Sequence, residues 1–130
     1  MSENKKGTFV FDFDGVVHLY REGWKDGSIY DYPNKRIVQI MSELMNEGYP
    51  VAIISTRKPS DIVKWCSDMV LFPVTEIPEN CTFWDDTNRV GVTNRKIPAL
   101  LYIDDRGFRY QGDISLGDIK TAAGISEFSK

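Results

Sequence analysis

The chain has 130 residues, of which 42% are hydrophobic and 27% charged, and its 16 basic and 19 acidic residues leave a net charge of −3. That length and composition describe one globular domain with a single core, and exclude a two-domain protein, a repeat array and a disordered chain. With no positive excess to displace counterions from phosphates, nonspecific nucleic-acid binding is not expected.

Residues 1–7 read as a loose polar N-terminus, with no signal peptide. Thr8 to Phe13 is a buried strand: Phe9-Val10-Phe11 is a short apolar run that ends abruptly in acids. The chain turns at Gly15. Residues 18–33, with Gly23, Gly27 and Pro33 among charges and aromatics, are a loop or small insert. Pro33 suits the first turn of a helix. Ile37, Ile40, Met41, Leu44 and Met45 then form one apolar helical face, and Gly48 is its stop.

Val51 to Ile54 is a second buried strand ending at Ser55-Thr56-Arg57. Strand, helix and strand make a βαβ unit, so the two strands are expected to be parallel. Residues 60–69 read as a second helix, with Ser60 or Asp61 near its cap and Ile62, Val63, Cys66 and Met69 inward; Trp65 is core or half-core. Val70 to Phe72 is the candidate third strand. Residues 73–95 carry no clear period and read as a flap or irregular structure. Leu100 to Ile103 is another buried strand, ending in Asp104-Asp105. Ser115 with Asp118 resembles a capping box for a last helix through Ala123, ended by Gly124.

Cys66 and Cys81 lack the spacing of a zinc site, and His18 is the sole histidine, so zinc is disfavoured and both cysteines read as small core residues in a reducing compartment. No stretch approaches the roughly 20 apolar residues of a membrane span, and the expected location is the cytoplasm.

Three strands end in polar groups: Asp12-Phe13-Asp14, Ser55-Thr56-Arg57 and Asp104-Asp105. Ligands of open parallel sheets bind at those ends. If the first and last strands are neighbours, four carboxylates share a crevice and repel each other unless a cation joins them or some are protonated. An oxygen-only set suits Mg²⁺, which also takes phosphate oxygens. A calcium loop counted from Asp12 would want Glu at the twelfth position, where Gly23 stands.

The run Phe9-Val10-Phe11-Asp12-Phe13-Asp14-Gly15-Val16 resembles the first motif of the haloacid dehalogenase (HAD) superfamily of phosphatases. Ser55 sits where that family places Ser or Thr after its second strand, Lys96 fits the basic third motif, and Leu101-Tyr102-Ile103-Asp104-Asp105 matches the acidic fourth. The stretch from Asn94 to Arg106 is similar to small, nearly capless hydrolases of this type from bacteria and phages; the likeness covers residues 8–110.

The resemblance implies a three-layer α/β/α sandwich with a mainly parallel Rossmann-like sheet, helices on both faces, and the first strand flanked by the second and by the one before Asp104. It implies a Mg²⁺-dependent phosphomonoester hydrolase. Asp12 would be the nucleophile that forms an aspartyl-phosphate, and Asp14 the general acid and then the base. Ser55, or Thr56 beside it, would bind the phosphoryl group with Lys96, which also steadies the nucleophile. Asp12, the Asp14 carbonyl, Asp104 and Asp105 would hold the metal, Asp105 being alternatively an acid behind the ligands or a helix cap. Arg95 rivals Lys96 for the basic position.

The intervals 18–33 and 73–95 are too short for a full cap domain, so the substrate is left open: a nucleotide, a small sugar phosphate or a phosphorylated nucleic-acid end. Alternatives are a nucleotidase or phosphotransferase of nucleic-acid metabolism, a non-catalytic phosphate- or metal-binding module, and a protein-interaction domain using the flap's aromatic residues. Plainer readings stand beside these. Arg57 reads as a surface or capping cation or, less readily, a substrate contact, and His18 as an incidental loop residue or a substrate contact. Trp24, Tyr30 and Tyr32 read as packing the insert onto the body rather than stacking on a base or a sugar, Trp84 as a candidate lid contact, and Asp85-Asp86 as a solvated pair.

Overall fold

The computed structural model describes residues 7–104. Five strands, β1 (Phe9–Asp12), β2 (Val51–Ile54), β3 (Val74–Glu76), β4 (Val90–Thr93) and β5 (Leu101–Ile103), form one sheet in the order β3-β4-β2-β1-β5, with two helices, α1 (Lys35–Asn46) and α2 (Pro59–Asp68). Every pairing is parallel. The chain is therefore an α/β protein, and β1 lies between β2 and β5 as expected. The predicted last helix and the acid Asp105 fall outside the described residues, as do residues 1–6.

One sheet face carries Phe9, Phe11, Val51, Ile53 and Val92, alternate positions of parallel strands. Both helices bury their apolar stripes there, α1 through Ile37, Ile40, Met41 and Leu44, α2 through Ile62, Trp65 and Cys66. Val63 and Met69, also expected inward, are only half-buried. The other face carries Val10 and Ala52, covered by Ile77, Trp84 and Ile97 from irregular chain. Among the described residues, helices thus cover one face rather than both. The thiol of Cys66, sealed in the first core, is pushed up to about 12 by burial; Cys81 is half-buried and both cysteines are free.

Helix α1 begins at Asn34, whose side chain accepts from Ile37 N–H, so Pro33 lies before the cap and not in the first turn. It ends in a Schellman turn: Tyr49 N–H donates to Leu44 O and Gly48 N–H to Met45 O, with Gly48 at φ 92°. Helix α2 starts on Pro59 at its first position, with Lys58 as cap and no side-chain bond, so neither Ser60 nor Asp61 caps it.

Two expectations fail between 70 and 95. Val70 to Phe72 is not a strand: Val70 ends α2 at φ 54°, 87% exposed, and the third strand starts four residues later. Residues 73–95 are not a flap, because they contain β3 and the fully buried β4. Trp84 is no lid residue either; it is buried on Gly91, where an added Cβ would come within 2.6 Å of the indole.

Candidate active site

The register brings the predicted strand ends together. Phe11 pairs with Ile103, so Asp12 and Asp104 follow at one level on neighbouring strands. Asp12 pairs with Ile54, and Ile54 with Thr93, which puts Ser55 and Asn94 just beyond the same edge. The passage from β4 to β5 crosses β2 and β1, because those two strands separate its ends. It carries Asn94 and Lys96 to the carboxyl edge of the sheet.

The result is a cleft of about 340 Å³ lined by Asp12, Ser55, Thr56, Lys96 and Asp104 among others. Beside β1 the direction of the connections reverses: the one from β1 leads to β2 on one side, and the one from β4 reaches β5 on the other. That is the place where open α/β sheets take ligands. Five of the seven residues expected in the site therefore line one cleft. Asp14 does not line it, and Asp105 lies outside the described residues.

Several of the lining groups are held locally. Ser55 is buried; its hydroxyl oxygen accepts from Arg57 N–H at 3.1 Å, which leaves its proton for an acceptor in the cleft. Thr56 is exposed. Asp12 Oδ1 accepts from Phe13 N–H at 3.0 Å. Lys96 is exposed, with Nζ 5.0 Å above the ring of Tyr102, itself a wall of the cleft. The Tyr102 hydroxyl accepts from Ile97 N–H and donates to Ile97 O, fixing that wall. Arg95 turns away to the carbonyls of Pro78 and Cys81, so the basic group at the cleft is Lys96.

Asp14 is held beside the cleft from two sides. Arg57 Nε donates to its oxygens at 2.9 and 3.2 Å, and His18 Nδ1 lies 2.8 Å from Oδ1. Burial raises its pKa, but the hydrogen bonds from His18 and Arg57 and the charge of Arg57 together outweigh that and hold it below the ordinary carboxylate value. Arg57 is not a surface cation: its side chain is 10% exposed, and Nη1 donates to Gly27 O of the 18–33 insert at 2.7 Å. His18 is neither incidental nor exposed to substrate; it is fully buried.

The sequence hid both roles. Arg57 meets Asp14 only once β2 lies beside β1, while His18 meets it across the local turn after β1, four positions on, a spacing that by itself announces nothing. Trp24 and Tyr32 are 70% and 66% exposed, so of Trp24, Tyr30 and Tyr32 only Tyr30 packs inward, beside the half-buried Tyr20. Asp86 pairs with Arg89 at 2.9 Å.

Among the described residues no group of three or more His, Cys, Asp and Glu is placed to hold a metal. Asp12 and Asp104 do line the cleft together. Two carboxylates with carbonyl and substrate oxygens are a donor set that suits Mg²⁺, which keeps several waters and takes one or two carboxylates. Among the described residues no helix is long and apolar enough to cross a membrane. No protein-family profile, curated protein or solved structure matches the chain.

Proposed function

We propose that this protein is a Mg²⁺-dependent phosphomonoester hydrolase of the HAD type, with a Rossmann-like sandwich and no full cap domain. The observation that carries the reading is the cleft itself. A carboxylate on β1, a hydroxyl after β2, a lysine after β4 and a second carboxylate after β5 line one crevice at the carboxyl edge of a parallel sheet. A nucleophile, a hydrogen-bond donor to the phosphoryl oxygens, a cation and a metal ligand are what phosphoryl transfer through a carboxylate requires.

Asp12, Asp104 and the Asp14 carbonyl would hold the metal, joined by Asp105 if it reaches the site. Bound there, Mg²⁺ would offset the repulsion between carboxylate and phosphate and polarise the phosphoryl oxygens. The chain's own groups do the rest. Asp12 attacks phosphorus, its oxygen forming the new P–O bond as the bond to the leaving oxygen breaks. Asp14, which the bonds from His18 and Arg57 hold beside the cleft as a carboxylate, must release Arg57 and take up a proton before it passes one to that oxygen. Ser55, with Thr56 at the rim, donates to a phosphoryl oxygen, and Lys96 balances the charge that develops. In the second half Asp14 takes a proton from water, the water oxygen bonds to phosphorus, and the bond to Asp12 breaks. Phosphate leaves and Asp12 is restored.

The test is phosphate release from an aryl phosphate and a panel of nucleotides and sugar phosphates, with Mg²⁺ and with EDTA, Asp12→Asn alongside. Turnover that needs Mg²⁺ and falls to background in the variant is expected. No turnover with any substrate would favour a phosphate- or metal-binding module. Selective turnover of nucleotides would favour the nucleotidase reading.

A further inference from the structure

His18 is fully buried at the neck of the 18–33 insert. There Leu19 N–H donates to Tyr32 O, Asn34 N–H donates to Val17 O, and His18 bridges to Pro33. Its ring stacks on Phe13 at 5.3 Å between centroids and meets Trp65 edge-on at 5.6 Å, so it cannot rotate freely. Both ring nitrogens are used. Nε2 accepts from Asp31 N–H at 3.0 Å. A nitrogen that accepts carries no proton, so the proton sits on Nδ1 and points at Asp14 Oδ1, 2.8 Å away.

A backbone amide thus sets the tautomer, the aromatic walls set the ring plane, and the ring sets one oxygen of Asp14. Asp31, in turn, is anchored. Its carboxylate accepts from Arg21 N–H and Tyr32 N–H and from the Arg21 guanidinium at 2.6 and 3.0 Å. Nothing in core packing alone calls for a buried histidine whose one free donor is aimed at a half-exposed carboxylate.

We infer that His18 is a positioning residue: through Nδ1–H it fixes the carboxylate of Asp14 for proton transfer to the leaving group, with the insert as its support. The inference rests on the phosphatase reading for its chemistry, while the contact itself does not. Proton transfer at a leaving oxygen is sensitive to small misplacement, because donor and acceptor must lie within hydrogen-bond reach in the transition state.

Two arms test it. The first needs no activity. His18 is the sole histidine, so ¹⁵N NMR of the labelled protein reports one ring. Protonated Nδ1 with an unprotonated Nε2 is expected, and the Nδ1 proton signal shifts in Asp14→Ala. An Nε2–H tautomer, or a signal indifferent to Asp14→Ala, overturns the inference.

The second arm is kinetic. His18→Gln keeps an acceptor near Nε2 but loses the donor at Nδ1, and His18→Asn restores a donor near Nδ1. In His18→Gln, kcat/KM for an alkyl phosphate is expected to fall about 10- to 100-fold with little change in KM. For 4-nitrophenyl phosphate, whose leaving group needs no proton, the loss is a few-fold, and His18→Asn recovers most of the alkyl activity. Equal losses on both substrates in both variants, or none, overturn the inference. A wild type without Mg²⁺-dependent turnover but with the Nδ1–H tautomer would sink the phosphatase reading, and the catalytic role with it, while leaving the His18–Asp14 contact standing.

Discussion

At the scale of single residues, the site divides into groups that strand ends announce and groups that only folding assembles. Asp12, Ser55 and Asp104 were legible because each follows a buried apolar run, and β-register then aligns what the runs deliver. Lys96 could be told from Arg95 only in three dimensions, where Arg95 is committed to two carbonyls. His18, Arg57 and Asp31 were illegible as a unit, since they lie 13 to 39 positions apart and meet through a backbone amide and one carboxylate.

Asp31 also predicts a pH effect. The Arg21 hydrogen bonds, then those from the backbone amides of Arg21 and Tyr32, outweigh burial and hold its carboxyl well below the usual range. A carboxyl depressed in the folded state stabilises it fully above the unfolded value of about 3.9, and that contribution disappears as pH falls further, through the folded value. Urea midpoints from pH 5 down to pH 2 should therefore fall more steeply for the wild type than for Asp31→Asn. Parallel curves would show that the pair adds no pH-dependent stability.

At the scale of elements, β1, α1, β2 and β5 were readable because their apolar periods are clean. Strand β4 was missed because Val90-Gly91-Val92-Thr93 holds a glycine, which weakens a strand pattern, and sits among charges. The glycine has a reason: Ile77 and Trp84 lie on it, at 2.7 and 2.6 Å from where a Cβ would stand. Gly91→Ala should cost about 1–3 kcal/mol through forced repacking, read from the urea midpoint, and an unchanged midpoint would contradict the contact.

Val70 stands at a helix end in the same way that Gly48 does. Leu71 N–H donates to Cys66 O and Val70 N–H to Ser67 O, so α2 ends in the same turn as α1, with valine where α1 has Gly48. A hydrophobic residue there looked like the start of a strand. Because a β-branched residue is strained at φ 54° and this one buries nothing, Val70→Asn should stabilise the protein by about 1 kcal/mol. A lower melting temperature in the variant would contradict that.

For the molecule as a whole, the proposed function rests on strand order. Placing β5 beside β1 sets Asp104 next to Asp12, and the passage from β4 across β2 and β1 brings Lys96 to the same edge, its Nζ 5.0 Å from the Tyr102 ring of β5. The sequence indicated the parallel βαβ unit and the polar strand ends. It did not indicate that irregular chain, rather than a helix, covers the second face through residue 104, because Ile77, Trp84 and Ile97 are spaced with no period.

The central claim is that Asp12 is the nucleophile of this cleft. Its most direct test is acid quenching of the protein during turnover with a phosphoryl donor and Mg²⁺, borohydride reduction of any acyl phosphate, and peptide mapping. One reduced aspartate is expected, at Asp12, and none in Asp12→Asn. Turnover that proceeds with Asp12 unmodified and persists in Asp12→Asn would contradict it.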